Sequence, residues 1–511
     1  MKLQFLVLLI SLTTFSQTLV PDPTFGNNGI GRVIFPSGYS QPTSMQIQTD
    51  GKILVCGHTT SNSGHQVGIT RFNQDGSLDE NFGTDGIVIL DKDVIPSDRS
   101  YVRIVNDDKI MVVSTSRQTI SSYDRFLVAQ YNNDGTLDSE FGDNGITLID
   151  GTGYLYGFEV QSDGKLILIG EFYSSGQSDF GIVRLDATGS LDTTFGLDGR
   201  TVINFGTIAN PTILTTDFPT YCQILNDGKI LIGGSTNSTT YQGYEFALAK
   251  LDQDGKLDIT FGNEGKLITS FGINNAQLNT VMVNDNDEIF ALGAIYGVID
   301  AGAKIGLAKY DQYGNLDVNF GTNGTTITQI NMSGTWGFLN QAYITEEGKI
   351  LGAGFNQVNG FNEVDVVLMQ YNPDGTLDDS FGIDGLQIFD FDQDPTFESM
   401  TTIVSTTDNK VIMAGILNNN FAVVKLIDGA LSTSINVQTN FSVFPNPTKD
   451  VLNITNIQKM DAITILDVLG KSIFEKIEST SQIDVSRLQQ GLYFIQILSQ
   501  GKTFTQKFIK E

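Results

Sequence analysis

The stretch Asp75-Gly76-Ser77-Leu78-Asp79-Glu80-Asn81-Phe82-Gly83-Thr84-Asp85-Gly86 contains a frame, Asp-x-x-Phe-Gly-x-x-Gly, that occurs seven times in the chain. The other copies start at Asp22, Asp138, Asp192, Asp258, Asp317 and Asp378, each followed by Phe-Gly at Phe25, Phe141, Phe195, Phe261, Phe320 and Phe381. Steps of 57, 59, 54, 66, 59 and 61 residues between the phenylalanines mark one supersecondary unit repeated in series. Copy one departs from the frame, with Pro21 where Leu78 stands in copy two.

Two further landmarks recur in every unit. A polar turn separates apolar runs at Asp50-Gly51-Lys52, Asp107-Asp108-Lys109, Asp163-Gly164-Lys165, Asp227-Gly228-Lys229, Asn286-Asp287-Glu288, Glu347-Gly348-Lys349 and Asp408-Asn409-Lys410. Asp-Gly tolerates positive φ, so these read as two-residue type I′ hairpins. An apolar stretch with a long polar side chain near its end follows, as in Val67-Gly68-Ile69-Thr70-Arg71-Phe72. Each unit thus reads as four short strands, in the first unit about 30–35, 44–48, 53–57 and 67–73. Runs apolar throughout, such as Ile230-Leu231-Ile232, fit strands covered on both faces. The expected fold is all-β, a seven-bladed β-propeller of four-stranded blades over residues 20–428. A β-solenoid fits less well, because its coils are shorter and lack repeated hairpins. Each Asp-x-x-Phe-Gly turn should join the third strand of a blade to its outermost fourth. The strand at 30–35 should then complete the last blade beside Asn420–Leu426.

Lys2 followed by Leu3, the apolar run Phe5–Ile10 and the small residues Thr14 and Ser16 reads as a signal peptide over 1–16, leaving Gln17 as the mature start. That run is too short to span a bilayer, so no transmembrane segment is expected after cleavage. The chain has 58 Asp and Glu against 30 Lys and Arg, a formal net charge of -28, which argues against nucleic-acid binding. Its two cysteines, Cys56 and Cys222, lie in strand-like runs of different repeats and read as buried free thiols. After a polar linker at 429–440 the charge balance changes. From Asn440 onward there are 8 basic and 7 acidic residues, against 21 and 51 over 17–439. Residues 441–511 alternate short strands and turns and read as a small C-terminal β-sandwich.

The repeat resembles the delta-60 repeat of bacterial surface and secreted proteins, a family with no agreed activity to carry over. The tail resembles the type A C-terminal sorting domain of the type IX, or Por, secretion system of Bacteroidetes. The matching residues are Phe444-Pro445-Asn446-Pro447, Val451-Leu452-Asn453-Ile454, Leu466-Asp467-Val468-Leu469-Gly470-Lys471 and Leu488-Gln489-Gln490-Gly491-Leu492-Tyr493-Phe494. That resemblance implies Sec export, then type IX secretion through its machinery to the outer surface or the medium.

Chemistry-bearing motifs are scarce. His58 and His65 have no equivalents in other units and read as surface histidines. Asn73/Asp75/Asp79 and its relatives Asn132/Asp134/Asp138, Asp252/Asp254/Asp258 and Asn372/Asp374/Asp378 invite a calcium reading. Thr188 and Tyr313 break that pattern, and Asx turns explain it better. Repeated Asp and Phe build a scaffold, so a site should show as a departure from the repeat. Departures are Trp336, the insertion Asn210–Phe218 and Tyr241-Gln242-Gly243-Tyr244. No catalytic, cofactor-binding or metal residue and no cofactor is assigned. The expected function is a monomeric secreted or cell-surface binding or adhesion module for polysaccharide or protein. The alternative is a hydrolase or lyase acting on polysaccharide with carboxylates in the propeller channel, and a passive surface component is a third reading. Any ligand should meet the face carrying the variable loops, such as Pro36–Thr43 and His58–Gln66.

Overall fold

The computed structural model describes residues 18–35, 39–61, 64–90, 95–105, 108–117, 124–150, 153–174, 177–206, 216–237, 243–272, 275–296, 303–329, 337–358, 363–391, 398–406, 408–429, 442–455, 462–466, 472–476, 481–499 and 502–511. The expected signal peptide and nearly all of the linker lie outside them. All regular structure described is β. The chain falls into two compact units, Met1–Leu431 and Ser432–Glu511.

Among the described residues the first unit holds seven antiparallel sheets. Six are four-stranded meanders in sequence order, the first being Ser40–Ile47, Ile53–Ser61, Gly64–Phe72 and Ile87–Leu90. We number the blades from this one. The seventh combines Glu398–Ser405, Val411–Leu417 and Asn420–Asp428 with two strands from the start of the chain. Ile30–Val33 pairs with Asn420–Asp428 from Ile30↔Val424 to Val33↔Phe421, and Leu19–Pro21 extends the same edge to Asp428. The first repeat unit is therefore split across the seam, and the ring closes by main-chain pairing.

Strands apolar on both faces exist because blades pack on each other. Leu54, Cys56, Val67 and Ile69 of blade 1 share one core with Val102, Ile110, Val112 and Leu127 of blade 2. The repeat frame makes the same joint in polar and apolar parts. Each frame phenylalanine is at most 1% exposed. The glycine after it uses its N–H to reach the next blade: Gly83 donates to the Asp134 carbonyl, Gly196 to Asp254 and Gly321 to Asp374, each 2.8 Å. Gly255 of blade 4 faces the Phe195 ring of blade 3, where a Cβ would lie 2.6 Å from the ring. The frame aspartate gathers cations from its own blade. Asp79 Oδ2 accepts from Arg71 Nε (2.7 Å) and Lys52 Nζ (3.0 Å), while Arg71 also lies over the Phe82 ring at 4.6 Å. Lys109–Asp138, Lys229–Asp258 and Lys349–Asp378 repeat the pairing. Asp, Phe and Gly of the frame are thus accounted for as scaffold.

Two local expectations are corrected. The turn at Asp50-Gly51 is not type I′. Gly51 N–H donates to the Gln48 carbonyl and Gln48 N–H to the Lys52 carbonyl, 2.8 Å each, so Thr49, Asp50 and Gly51 form a three-residue loop. Of these three only Gly51 has positive φ, at 80°, and Asp108, Asp287 and Asn409 take that role elsewhere at 57°. A type I turn closed by one left-handed residue needs only a single Gly, Asp or Asn, which is why the second turn position varies. Second, His58–Gln66 is not a loop, since Ile53–Ser61 and Gly64–Phe72 stay paired as far as Ser61↔Gly64.

The second unit has a three-stranded sheet of Ser442–Phe444, Val451–Thr455 and Gln482–Asp484. Beside it lies a four-stranded sheet of Ser472–Lys476, Ala462–Leu466, Gly491–Ser499 and Lys502–Lys510. Leu452, Ile454 and Ile483 of the first share one core with Ile463, Ile465, Ile495, Ile497 and Phe508 of the second, which makes a small β-sandwich.

Candidate functional site

The innermost strands of the seven blades surround a central channel of about 580 Å³. Its wall is shaped by a repeated backbone irregularity. In six blades the inner strand carries a one-residue bulge, which lies at Thr43, Tyr156, Thr220, Asn279, Asn340 and Thr401. A bulge re-aims a side chain out of the pleat, and all six residues line the channel. The second strand meets each bulge with a glycine. A Cβ at Gly57, Gly234 or Gly354 would lie 2.1, 2.2 or 1.7 Å from a carbonyl of the bulged strand.

In four blades the bulge side chain bonds to the backbone of the next blade. Asn279 Nδ2 donates to the Leu339 carbonyl and Asn340 Nδ2 to Met400, both 2.7 Å. Thr401 Oγ1 donates to the Pro42 carbonyl at 2.9 Å, and Thr43 Oγ1 to Ser100 at 2.5 Å. These bonds run in an arc from blade 5 through blade 1 to blade 2. The arc then breaks. Blade 2 has Ser114 where the others have glycine, and its irregularity is longer, between Pro96 and Ser100. Ser114 Oγ donates to the Arg99 carbonyl at 2.9 Å, so the larger kink is pinned and Arg99 stands exposed at the channel. Arg99 lies over the Tyr156 ring of blade 3, 4.4 Å from its centroid. The Tyr156 hydroxyl donates to Glu171 Oε1 at 2.8 Å, and Tyr156 stacks on Phe218 of blade 4 at 6.1 Å. The Thr220 hydroxyl is buried without a hydrogen-bond partner.

Electrostatics in this sector are set mainly by burial. Burial raises the Tyr101 hydroxyl, opposed by Arg99, and burial together with Glu171 raises Tyr156. Burial also pushes the Cys222 thiol on the channel wall well up, so it is a poor nucleophile. Arg103 is neutralised by Glu159, Nη2 to Oε1 2.8 Å.

Several sequence candidates land elsewhere. His58 and His65 are not surface residues of a loop. They sit on paired strands with ring centroids 5.2 Å apart, and His58 is buried. The carboxylates of the calcium reading hold turns. Asp75 Oδ1 accepts the Ser77 N–H and hydroxyl at 2.9 and 2.6 Å, and Asp374 does the same with Thr376 at 3.0 and 2.7 Å. Asn73 turns its Nδ2 toward Ser77 and Leu78. Cys56 and Cys222 are buried and free. Trp336, Tyr241 and most of Asn210–Phe218 lie outside the described residues. Phe218 and Tyr244 meet edge to face at 5.1 Å beside Tyr156. Arg99, Tyr156 and Thr220 were not singled out by the sequence reading. The signal lay seven residues before each turn landmark, where Thr43, Ser100, Tyr156, Thr220, Asn279, Asn340 and Thr401 stand.

Comparison with known proteins bears on both units. Residues 442–511 match the family described as secretion system C-terminal sorting domain. The chain carries a type IX sorting tail. The sorting domain marks the chain for export through type IX secretion to the cell surface or the extracellular space. Residues 48–82, 106–141, 161–195, 225–261 and 348–381 match the family described as domain of unknown function (DUF5122) beta-propeller. No curated protein matches the sequence. Among solved structures, a polysaccharide lyase is 12% identical with a TM-score of 0.46, covering 78% of this chain and 91% of that one. An α-L-arabinofuranosidase of Fusarium graminearum is 10% identical with a TM-score of 0.39, over 82% and 99%. PorZ, a surface component of the type-IX secretion system of Porphyromonas gingivalis, is 11% identical with a TM-score of 0.30, over 91% and 74%. Likenesses this distant say nothing of what the chain binds. Deleting 441–511 is expected to leave the repeats folded and hold the chain inside the cell envelope. Immunoblots of medium, surface and periplasmic fractions check this, and full secretion of the truncated chain would refute it.

Proposed function

We propose that the chain is a secreted or surface-attached binding module, whose propeller takes an extracellular polysaccharide or protein at the channel mouth between blades 2 and 4. The observation that carries this reading is the broken arc. Four bulges are consumed by the scaffold, whereas Arg99, Tyr156 and Thr220 depart from the repeat together on three consecutive blades. The inter-blade crossings and the second hairpin of each blade emerge on one face, opposite the frame turns, so the loops of variable length share one face. The hydrolase or lyase reading asks for channel carboxylates, but the polar side chains of the described lining are Arg, Tyr, Asn, Gln, Thr, Ser and the Cys222 thiol, with no Asp, Glu or His. The test is a glycan and surface-protein array probed with the full mature chain, alongside hydrolysis and elimination assays. Saturable binding that Tyr156→Ala weakens by about tenfold or more is expected, the loss typical of a central aromatic anchor. Turnover of any arrayed polysaccharide would overturn the reading, and so would binding that ignores the substitution.

A further inference from the structure

The basic side chains of the repeats are mostly accounted for. Lys52, Lys109, Lys229, Lys349, Arg71 and Arg184 each hold a frame aspartate. Arg103 holds Glu159 across a blade seam. Arg99 is different. Among the described residues no carboxylate pairs with it, although residues 17–439 carry 51 acids against 21 bases. Glu171, the acid that reaches its stacking partner, is occupied by the hydroxyls of Tyr156 and Tyr173. A chain so acidic could pair another arginine at little cost, and this one instead stands exposed in the channel wall.

The surroundings narrow the ligand. A guanidinium offers a planar pair of N–H donors that fits a carboxylate oxygen for oxygen. Its stack on Tyr156 fixes that plane in advance, so little side-chain freedom is lost on binding. Around it the lining holds Arg103, already neutralised by Glu159, and is otherwise rich in hydroxyls and amides, among them Tyr101, Thr220 and Gln341, with the Thr220 hydroxyl still unsatisfied. One cation without a carboxylate partner, among hydroxyls and amides, suits a polyol with an isolated negative charge. The acidic propeller surface meanwhile repels a densely charged polyanion such as a heavily sulfated chain, since charges within about 8 Å are felt at physiological salt.

We propose that the channel mouth between blades 2 and 4 binds a carboxylate-bearing saccharide, with Arg99 as the counter-ion of its uronate group. This rests on the binding-module reading. A structural reading of the Arg99–Tyr156 stack, as a mere substitute for the hydrogen bond that seals other seams, makes a different prediction, because removing it would change stability and not ligand choice.

The experiment uses the full mature chain and calorimetric titration with otherwise neutral oligosaccharides that carry a single galacturonate or glucuronate residue, the uronate oligomers. Each is compared with its carboxyl-reduced counterpart, the same sugar without the charge, and with a heavily sulfated galactan oligomer. Binding of the uronate oligomers is expected, weaker by about tenfold or more for the reduced forms, as for loss of a charged hydrogen bond. Arg99→Ala should lose a similar factor with an unchanged thermal midpoint, and Arg99→Lys should recover part of it. The comparison of native and reduced oligomers needs no variant, so it stands even if a substitution disturbs folding. Equal affinity for native and reduced oligomers, or preference for the sulfated probe, overturns the uronate assignment and leaves the binding module standing. Failure of every oligomer, with a protein or neutral glycan captured instead, also overturns it alone. No binding to any probe or array overturns both.

Discussion

A chain lacking residues 18–35 is expected to lose the cooperative fold of the whole propeller, not merely one edge of it. Those residues supply both outer strands of blade 7 and pair seven residues of Asn420–Asp428 by main-chain hydrogen bonds, from Leu19↔Asp428 to Val33↔Phe421. Phe25, Val33 and Phe35 lie in the core that joins blade 7 to blade 1, with Met45, Ile53 and Phe72 on one side and Ile412 and Phe421 on the other. Leu19, Phe25, Val33 and Phe35 are each 5% exposed or less. Burial of four such side chains stabilises by about 6–12 kcal/mol. A domain's net stability is only about 5–15 kcal/mol, so this loss removes most of it. The opened strand Asn420–Asp428 would also offer a bare edge for aggregation. Equilibrium urea unfolding checks the expectation. A control chain with 18–35 moved to follow Asp428 through a short flexible linker should unfold with near-native cooperativity. An unchanged midpoint and slope for the simple deletion would show that the ring does not depend on its closure.

The seam itself was legible in the sequence. The first frame, at Asp22, precedes the first full set of four strands and no frame follows the last repeat strand near Leu426, so a meander of fixed phase leaves one spare strand before blade 1 and one missing from blade 7. Blade count, the place of each frame turn and the sandwich of the tail follow from periodicity and strand alternation, which are set by the pleat and by turn chemistry. What escaped reading were features set by contacts between distant residues. His58 looks like a loop residue beside Gly57, yet inter-strand pairing carries its strand on to Ser61. Arg99 looks like one polar residue in Ser97-Asp98-Arg99-Ser100. Its exposure at the channel follows from Ser114, which stands where the bulge elsewhere demands glycine. The glycine column Gly57, Gly234, Gly293, Gly354 and Gly415 was visible as a pattern, but its meaning needed the carbonyl that each one faces. A site of this kind is a gap in a hydrogen-bonded arc, and an arc exists only once the ring is closed.

The propeller is expected to be most stable near pH 4, to weaken slightly toward pH 6 and to unfold in strong acid, with the frame aspartates as the main cause of the acid limb. All seven are held below the ordinary value of 3.8. In Asp192 the Thr194 hydroxyl acts first, and in Asp138 and Asp317 the bond from Lys109 or Lys309 does. In Asp258 and Asp378 burial pushes upward but is outweighed, first by Lys229 or Lys349 and then by a hydroxyl. Asp192, Asp258 and Asp378 come down to about 2. A carboxyl with a lower pKa folded than unfolded binds more protons unfolded. Its stabilisation is therefore complete above about pH 4 and is lost as pH falls through about 2. Asp217 acts with the opposite sign, since burial raises it to about 6. Charging it costs stability as pH rises from about 4 through 6, which sets the upper shoulder. Seven downward shifts repeated at the blade seams outnumber the upward shifts of Asp217 and Asp179, both caused by burial, so the acid limb should be the steeper. Urea midpoints measured from pH 2 to 8 test the profile, with Asp192→Asn expected to flatten the acid limb. A midpoint that stays level from pH 5 down to 2.5 would show that the frame aspartates hold turns by geometry alone and contribute nothing through their charge.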